Sequence, residues 1–181
     1  MNVTNSGKTA KPSNLVSIRP VIDADFEVLA EMRRDSEMQG LLMVISDATD
    51  DNAIRDWISR RSGEAGGAFR ILVETSTNKA LGYIQISGIH RRNRTGYGGI
   101  AVSKRATLPG LGRVAMQYLV TMAREELGLA KLLAEIRQDN VTAIQLNTLF
   151  GYRIVGTLEQ HFRGQQQTYD VLLLERLLPT E

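Results

Sequence analysis

Residues 15–19, LVSIR, alternate apolar and polar positions before Pro20, which predicts a short strand. Past it the period lengthens. Asp23 reads as an N-cap, Asp25 and Glu27 fall in a first helical turn, and Phe26, Leu29 and Ala30 share one face. A second helix is predicted from Asp51, with Ile54, Trp57 and Ile58 on one side and Gly63 as its stop. The middle of the chain then returns to strand. FRILVET at 69–75 and ALGYIQISGI at 80–89 flank the turn-rich STNK and read as an antiparallel hairpin, and GYGGIAVS at 96–103 adds a third strand. Leu111, Val114, Ala115, Tyr118, Leu119, Met122 and Ala123 recur at helical spacing and predict a long amphipathic helix closed by Gly128. KLLAEIRQ at 131–138 reads as a short strand, followed by a helix of about ten residues from Asn140. GYRIVGTLE and TYDVLLLERL supply two last strands. The sum is one α/β domain over residues 15–181 with a mixed sheet, behind a polar tail, residues 1–14, expected to be flexible.

Composition narrows the chemistry. With 181 residues and 43% hydrophobic content the chain can bury one core. No apolar run is long enough for a bilayer, and MNVTNSGKTAKPSN lacks the apolar block of a secretory signal. The absence of Cys excludes disulfides, thiolate metal sites and cysteine nucleophiles, and makes a cytoplasmic location the default expectation. The two histidines, His90 and His161, are far apart, so no metal site is expected. A net charge of +2 is too weak a bias to argue for nucleic acid. The one basic cluster, HRRNR at 90–94, reads first as a solvated loop and second as an attractor for a phosphorylated ligand or for a cofactor phosphate.

Candidate chemistry centres on TLPGLGRVA at 107–115. Gly110 to Ala115 satisfies G-x-G-x-x-G/A, yet a loop separates the preceding strand from Gly110 and no acidic residue stands at the tip of the next strand, as a dinucleotide fold requires. A nicotinamide-dependent oxidoreductase is therefore the poorer reading. SGKT at 6–9 echoes a Walker loop without its first glycine or its strand and is set aside. What is left is a Gly-x-Gly loop opening an amphipathic helix. On glycines alone it is equally a pyrophosphate cradle, built from free amides and the helix dipole, or a plain turn.

The wider pattern resembles the GNAT acetyltransferase superfamily. Its signature Q/R-x-x-G-x-G/A, after a strand ending in Val, is matched at the glycines by Thr107 to Gly112 with Val102 as the strand valine. Its next signature, a strand like LEV, an Asn opening a helix, then Gly-Phe, is matched by AEI at 134–136, Asn140 and the Gly151-Tyr152 pair. Within the superfamily the pattern is similar to enzymes acting on ribosomal-protein N-termini or amino-sugar nucleotides. The resemblance implies a mixed, mostly antiparallel central sheet flanked by helices, with acetyl-CoA as acyl donor. The reaction it implies is direct transfer to a primary amine, small, nucleotide-linked or at a protein N-terminus. A non-catalytic acyl-CoA-binding sensor or assembly module is the alternative, and a homodimer is the candidate assembly.

The same resemblance assigns residues. Ala101, Val102, Gly110, Leu111, Gly112, Arg113 and Asn140 are the expected cofactor contacts, and Glu135 and Asn147 the expected catalytic pair. Glu135, central in its strand, is expected to be the general base, partly buried with a raised pKa. Its structural alternative is an ion pair with Arg137 or a cross-strand base. A β-bulge between Gly99 and Val102 is expected to aim an amide at the carbonyl oxygen. Asn140 is expected to cap its helix, to touch the cofactor, or both. Three departures stand out. Thr107 replaces Gln or Arg, Pro109 offers no amide, and Asn147 occupies the position where many members carry a thiolate-protonating Tyr. Lys104, Arg105 or Arg113 would have to compensate for the first two, and water, Tyr152 or Tyr169 for the third. The acceptor pocket is expected from the first helices, residues 41–48 and the late hairpin, where His161, Arg163 and residues 165–167 read as a polar loop.

Overall fold

The computed structural model describes residues 12–46, 48–63 and 67–179. A helical turn, α1 (Pro12–Leu15), leads into β1 (Val16–Arg19), so the last positions of the expected tail are helical and the strand starts one residue late; residues 1–11 of that tail lie outside the described residues. The helices α2 (Phe26–Arg34), α3 (Ser36–Leu41) and α4 (Asp51–Gly63) precede three strands, β2 (Ala68–Glu74), β3 (Ala80–His90) and β4 (Thr95–Val102). Then come α5 (Leu111–Thr121), β5 (Lys131–Arg137), α6 (Val141–Leu149), β6 (Arg153–Arg163) and β7 (Thr168–Leu177). The seven strands form one sheet in the order β1-β2-β3-β4-β5-β7-β6. Every neighbouring pair is antiparallel except β4 and β5, which the α5 crossover makes parallel.

Each sheet face has its own core. On one, Leu111, Ala115 and Leu119 of α5 pack with Ile84, Leu132 and Leu174. On the other, Leu29 and Met32 of α2 and Trp57 of α4 cover Phe69, Ile71, Tyr83 and Ala101. Fully burying a side chain such as Leu119 or Leu132 contributes roughly 1.5–3 kcal/mol. Gly98 lets α5 approach so closely, because a Cβ there would stand 3.0 Å from Leu119 Cδ2. Leu119 is itself anchored in a helix whose Tyr118 hydroxyl donates to the Val16 carbonyl at 2.8 Å.

Three boundaries differ from the sequence reading, each for a local reason. Asp23 opens a 3₁₀ turn (Asp23–Asp25) instead of capping α2. The buried Asp25 ties that turn down: its carboxylate accepts the Ile22 amide at 2.9 Å and both ends of the Arg19 guanidinium at 2.7 and 2.8 Å. The long helix passes into a π-type turn at Met122–Glu126, where the Leu127 amide reaches back to the Met122 carbonyl, and Gly128 at φ +61° then ends it. Finally, β6 runs on to Arg163, absorbing His161 and Arg163 into a strand. The register break between Leu158 and Phe162 is accommodated by Gln160 at φ +48°, whose amide donates to Asp170.

Candidate active site

The parallel pair β4 and β5 matches only at Thr95–Lys131, Gly96–Leu132 and Tyr97–Leu133. Beyond that each strand keeps its outer partner: β4 stays with β3 as far as Val102, and β5 with β7 as far as Arg137. A cleft opens between them. Two hydrogen bonds show which way the peptides of β4 point. The Ser103 amide donates to Leu81 of β3 at 2.8 Å, while the Arg94 carbonyl accepts from Ala130 on the β5 side at 2.7 Å. By antiparallel alternation Gly99 and Ala101 bond toward β3, whereas Gly98, Ile100 and Val102 turn their N–H and C=O groups to the cleft. The backbone of Val102 thus borders the cleft. That of Ala101 does not: its side chain is buried against the α2 and α4 layer and its backbone belongs to the β3 ladder. The bulge expected between Gly99 and Val102 is likewise absent from a register that runs unbroken from Gly82–Val102 to Ser87–Tyr97.

At the open end of β4, α5 begins on Gly110 at φ +76°, with no side chain capping it. The Arg113 and Val114 amides both turn in to the Gly110 carbonyl, at 2.9 and 3.2 Å. The amides of Leu111 and Gly112 are among the first of the helix, which have no intrahelical partner. A Cβ built on Gly110 meets nothing within 4 Å, so the mouth of the helix is open. Leu111 is 3% exposed and offers this mouth only its amide. Of the three cations available to offset Thr107 and Pro109, two are committed elsewhere. Lys104 lies 2.7 Å from both Asp35 and Glu37, and Arg105 2.7 Å from Glu31. The Lys104 hydrogen bond holds the Asp35 carboxyl below its ordinary range. Arg113 is exposed, and among the described residues nothing pairs with it.

The cleft encloses about 440 Å³ and brings Glu135, Asn140 and Asn147 together with Gln85 and Tyr97. Glu135 is exposed to it, not partly buried as expected, and no described cation pairs with it. The structural alternative fails because Arg137 is engaged elsewhere. Its guanidinium grips Asp139 at 2.9 and 2.6 Å, donates to the Gly40 carbonyl at 3.0 Å, and lies 3.7 Å over the Tyr169 ring. The two asparagines converge on one residue of α6. Asn140 Oδ1 accepts the Ala143 amide at 3.2 Å, which confirms the cap, and the buried Asn147 donates to the Ala143 carbonyl at 2.9 Å. Tyr152 is buried outside the cleft lining with an unpartnered hydroxyl, and burial pushes its pKa up. Tyr169 lies in the late hairpin under Arg137. Of these tyrosines only Tyr97, which the sequence reading passed over, borders the cleft; its place on the opposite face of β4 from Gly98 was legible from strand alternation.

A second cavity, about 710 Å³, meets the first at Leu41, which lines both. Arg33 and Gln39 wall it on the helical side, Arg137 and Asp139 from the end of β5, and Gln165 and Gln166 from the hairpin loop. His161 and Arg163 do not line it. The basic cluster at 90–94 sits at the closed end of β4 and β5, a strand's length from Gly110, where Arg94 Nε donates to the Gly128 carbonyl at 2.6 Å. It therefore braces the joint between α5 and β5 and is remote from the helix mouth. Among the described residues no group of three or more His, Cys, Asp or Glu is placed to hold a metal ion, and no helix is long and apolar enough to cross a membrane.

A family model described as Acetyltransferase (GNAT) domain matches residues 16–153. The chain belongs to the GNAT acetyltransferases. It is similar in fold to the spermidine N-acetyltransferase of Vibrio cholerae in complex with CoA and spermine, with a TM-score of 0.83 at 13% identity over 91% of this chain and 96% of that one. A probable acetyltransferase superposes with a TM-score of 0.76 at 21% identity, over 92% and 95% of the two chains. A GNAT-family acetyltransferase from Bacillus anthracis gives 0.75 at 17%, over 91% and 95%. No curated protein matches the sequence. Membership makes the protein an acyltransferase with acetyl-CoA as donor. The GNAT donor site fits this chain: an unpaired backbone edge along the cleft leads to an uncapped helix start with an open mouth.

Proposed function

We propose that this GNAT enzyme moves the acetyl group of acetyl-CoA directly to a primary amine, with Glu135 as the general base. The observation that carries the reading is the position of Glu135, an exposed carboxylate without an ion-pair partner among the described residues, in the cleft between the diverging strands. Acetyl-CoA supplies the activated acyl group. The amides at Leu111 and Gly112, with Arg113 beside them, would take its diphosphate, and the open edge at Ile100 and Val102 its extended arm. The Ile100 amide, facing the cleft, would donate to the thioester oxygen. That role needs no bulge, since strand divergence alone frees the amide.

An amine with pKa about 10.4 is neutral roughly once in 2,500 molecules at pH 7, a penalty of about 4.6 kcal/mol. Glu135 offsets part of it by taking the amine proton as the nitrogen attacks; general base catalysis typically contributes about 10²–10⁴-fold. No tyrosine stands at Asn147. The second amide hydrogen of Asn147 would hold the departing sulfur, and its proton would come from water. The acceptor would enter through the second cavity, past Leu41.

The decisive test replaces Glu135 by Gln and follows CoA release with an amine panel from pH 6 to 9. The expected result is a loss of about 10²–10⁴-fold in turnover, most severe at low pH, with unchanged acetyl-CoA affinity. Equal turnover across that range removes Glu135 from the mechanism. Tight acetyl-CoA binding by the wild type with no CoA release to any amine would instead favour the binding-module alternative.

A further inference from the structure

The second cavity is rich in charge, and among the described residues its charges do not cancel. Two described carboxylates line it, and each already has a cation: Glu37 has Lys104 at 2.7 Å and Asp139 has the bidentate Arg137. Arg34 at its rim has Asp51 at 2.5 Å. Arg33 has no carboxylate among the described residues. It is half-buried, and that burial, the largest influence, pulls its pKa below the ordinary guanidinium value, with Arg60 and Arg61 acting the same way against an opposing effect of Tyr83.

The guanidinium is nevertheless held in place. Its Nη1 donates to Gln39 Oε1 at 2.6 Å, and its carbon lies 5.2 Å over the Trp57 ring. Gln39, 6% exposed, is itself oriented by its Nε2 bond to the Met32 carbonyl at 2.9 Å. One donor and one face of Arg33 are thus spent on positioning. A guanidinium carries five N–H donors, and its fork matches carboxylate and phosphate oxygens. A fixed, partly desolvated cation without a counter-ion, in a cavity of small-molecule size, is arranged to receive an anion.

We propose that Arg33 binds an acidic group, carboxylate or phosphate, carried by the acceptor amine, so that the substrate is a small amine with an anionic end and not a polycation. This rests on the transfer reading above, with the amine directed past Leu41 to Glu135 and the anion left behind in the second cavity.

The test compares ω-amino acids and ω-aminoalkyl phosphates of increasing length with alkylamines of the same length and with spermidine. At the length that spans the two cavities, the acid-bearing amine should exceed its alkylamine in kcat/KM by at least about 10-fold, the scale of a charge-assisted hydrogen bond. Arg33→Gln should collapse that ratio toward one, while Arg33→Lys keeps part of it. Thermal shift in the presence of CoA gives a readout independent of turnover: the preferred acid-bearing amine should stabilise the wild type and Arg33→Lys but not Arg33→Gln. If no amine is acetylated but this stabilisation pattern holds, the transfer reading fails and the anion site stands. Transfer to alkylamines or spermidine as efficient as to any acid-bearing amine, a ratio that survives Arg33→Gln, or the absence of both discrimination and stabilisation overturns it.

Discussion

The two cavities that meet at Leu41 are built from different materials. The cleft between β4 and β5 is made mainly of backbone: an unpaired strand edge, a helix start on a left-handed glycine, and one carboxylate without a partner. The cavity beside it is made of side chains from α2, α3, β5 and the late hairpin, knitted by ion pairs, with one guanidinium left over. Backbone groups are the same for every residue but proline, so a donor site built on them would depend little on Thr107, while Pro109 withdraws one amide. A pocket built from side chains, as the proposed acceptor side is, changes with each substitution. A shared fold at 13% identity with an enzyme whose structure holds spermine is therefore compatible with a different acceptor here.

The largest test of the contrast is Glu135→Gln, expected to lose about 10²–10⁴-fold in turnover because it removes the cleft's one unpartnered carboxylate. Next comes a paired proline substitution on β4. Ile100→Pro removes an N–H that faces the cleft and should lower kcat by about 10²–10³-fold, while the β3 ladder loses no hydrogen bond. Ala101→Pro removes a β3 ladder bond instead, and should lower the melting temperature more than Ile100→Pro does. Equal melting temperatures and equal rates for the pair would mean that the peptide directions are misassigned.

Smaller effects follow at the helix mouth and the Arg137 clamp. Gly110→Ala places a Cβ in open space but at φ +76°, so it should destabilise by about 1–2 kcal/mol in a denaturant melt and weaken acetyl-CoA binding. Gly110→Val adds the strain of a β-branched residue and would confuse the two effects. The smallest expected change concerns pH. Hydrogen bonding to Arg137 holds the Asp139 carboxyl below its ordinary value. A depressed carboxylate contributes stability above its unfolded pKa, near about 4, and loses it as pH falls through the lower folded value. Asp139→Asn should flatten the fall in melting temperature below about pH 4. With the carboxylate largely exposed, the change is small, and an unaltered acid limb would show that the clamp is not a stabilising element.

Much of the donor side was legible because its signals are local. Gly110 and Gly112 open a helix within a few residues, Asn140 caps another three residues from its partner, and Glu135 follows from strand alternation. The sequence was silent where partners lie far along the chain. Ala101 and Val102 are adjacent, yet adjacent strand residues bond to opposite sides. Arg137 was offered to Glu135 by spacing, while Asp139, Gly40 and Tyr169 took it in space. Lys104 and Arg105, two of three cations that could offset Thr107 and Pro109, pair with Glu31, Asp35 and Glu37, some seventy residues earlier in the chain.

The order of strands and helices, the glycine-opened helix and the carboxylate in the fifth strand were written in periodicity and spacing, because such features depend on residues a few positions apart. The divergence of β4 from β5, the freedom of Glu135 and the isolation of Arg33 were decided by tertiary structure. The last two are statements about which partner is missing among the described residues, and such a gap shows only once competing groups far along the chain have been placed.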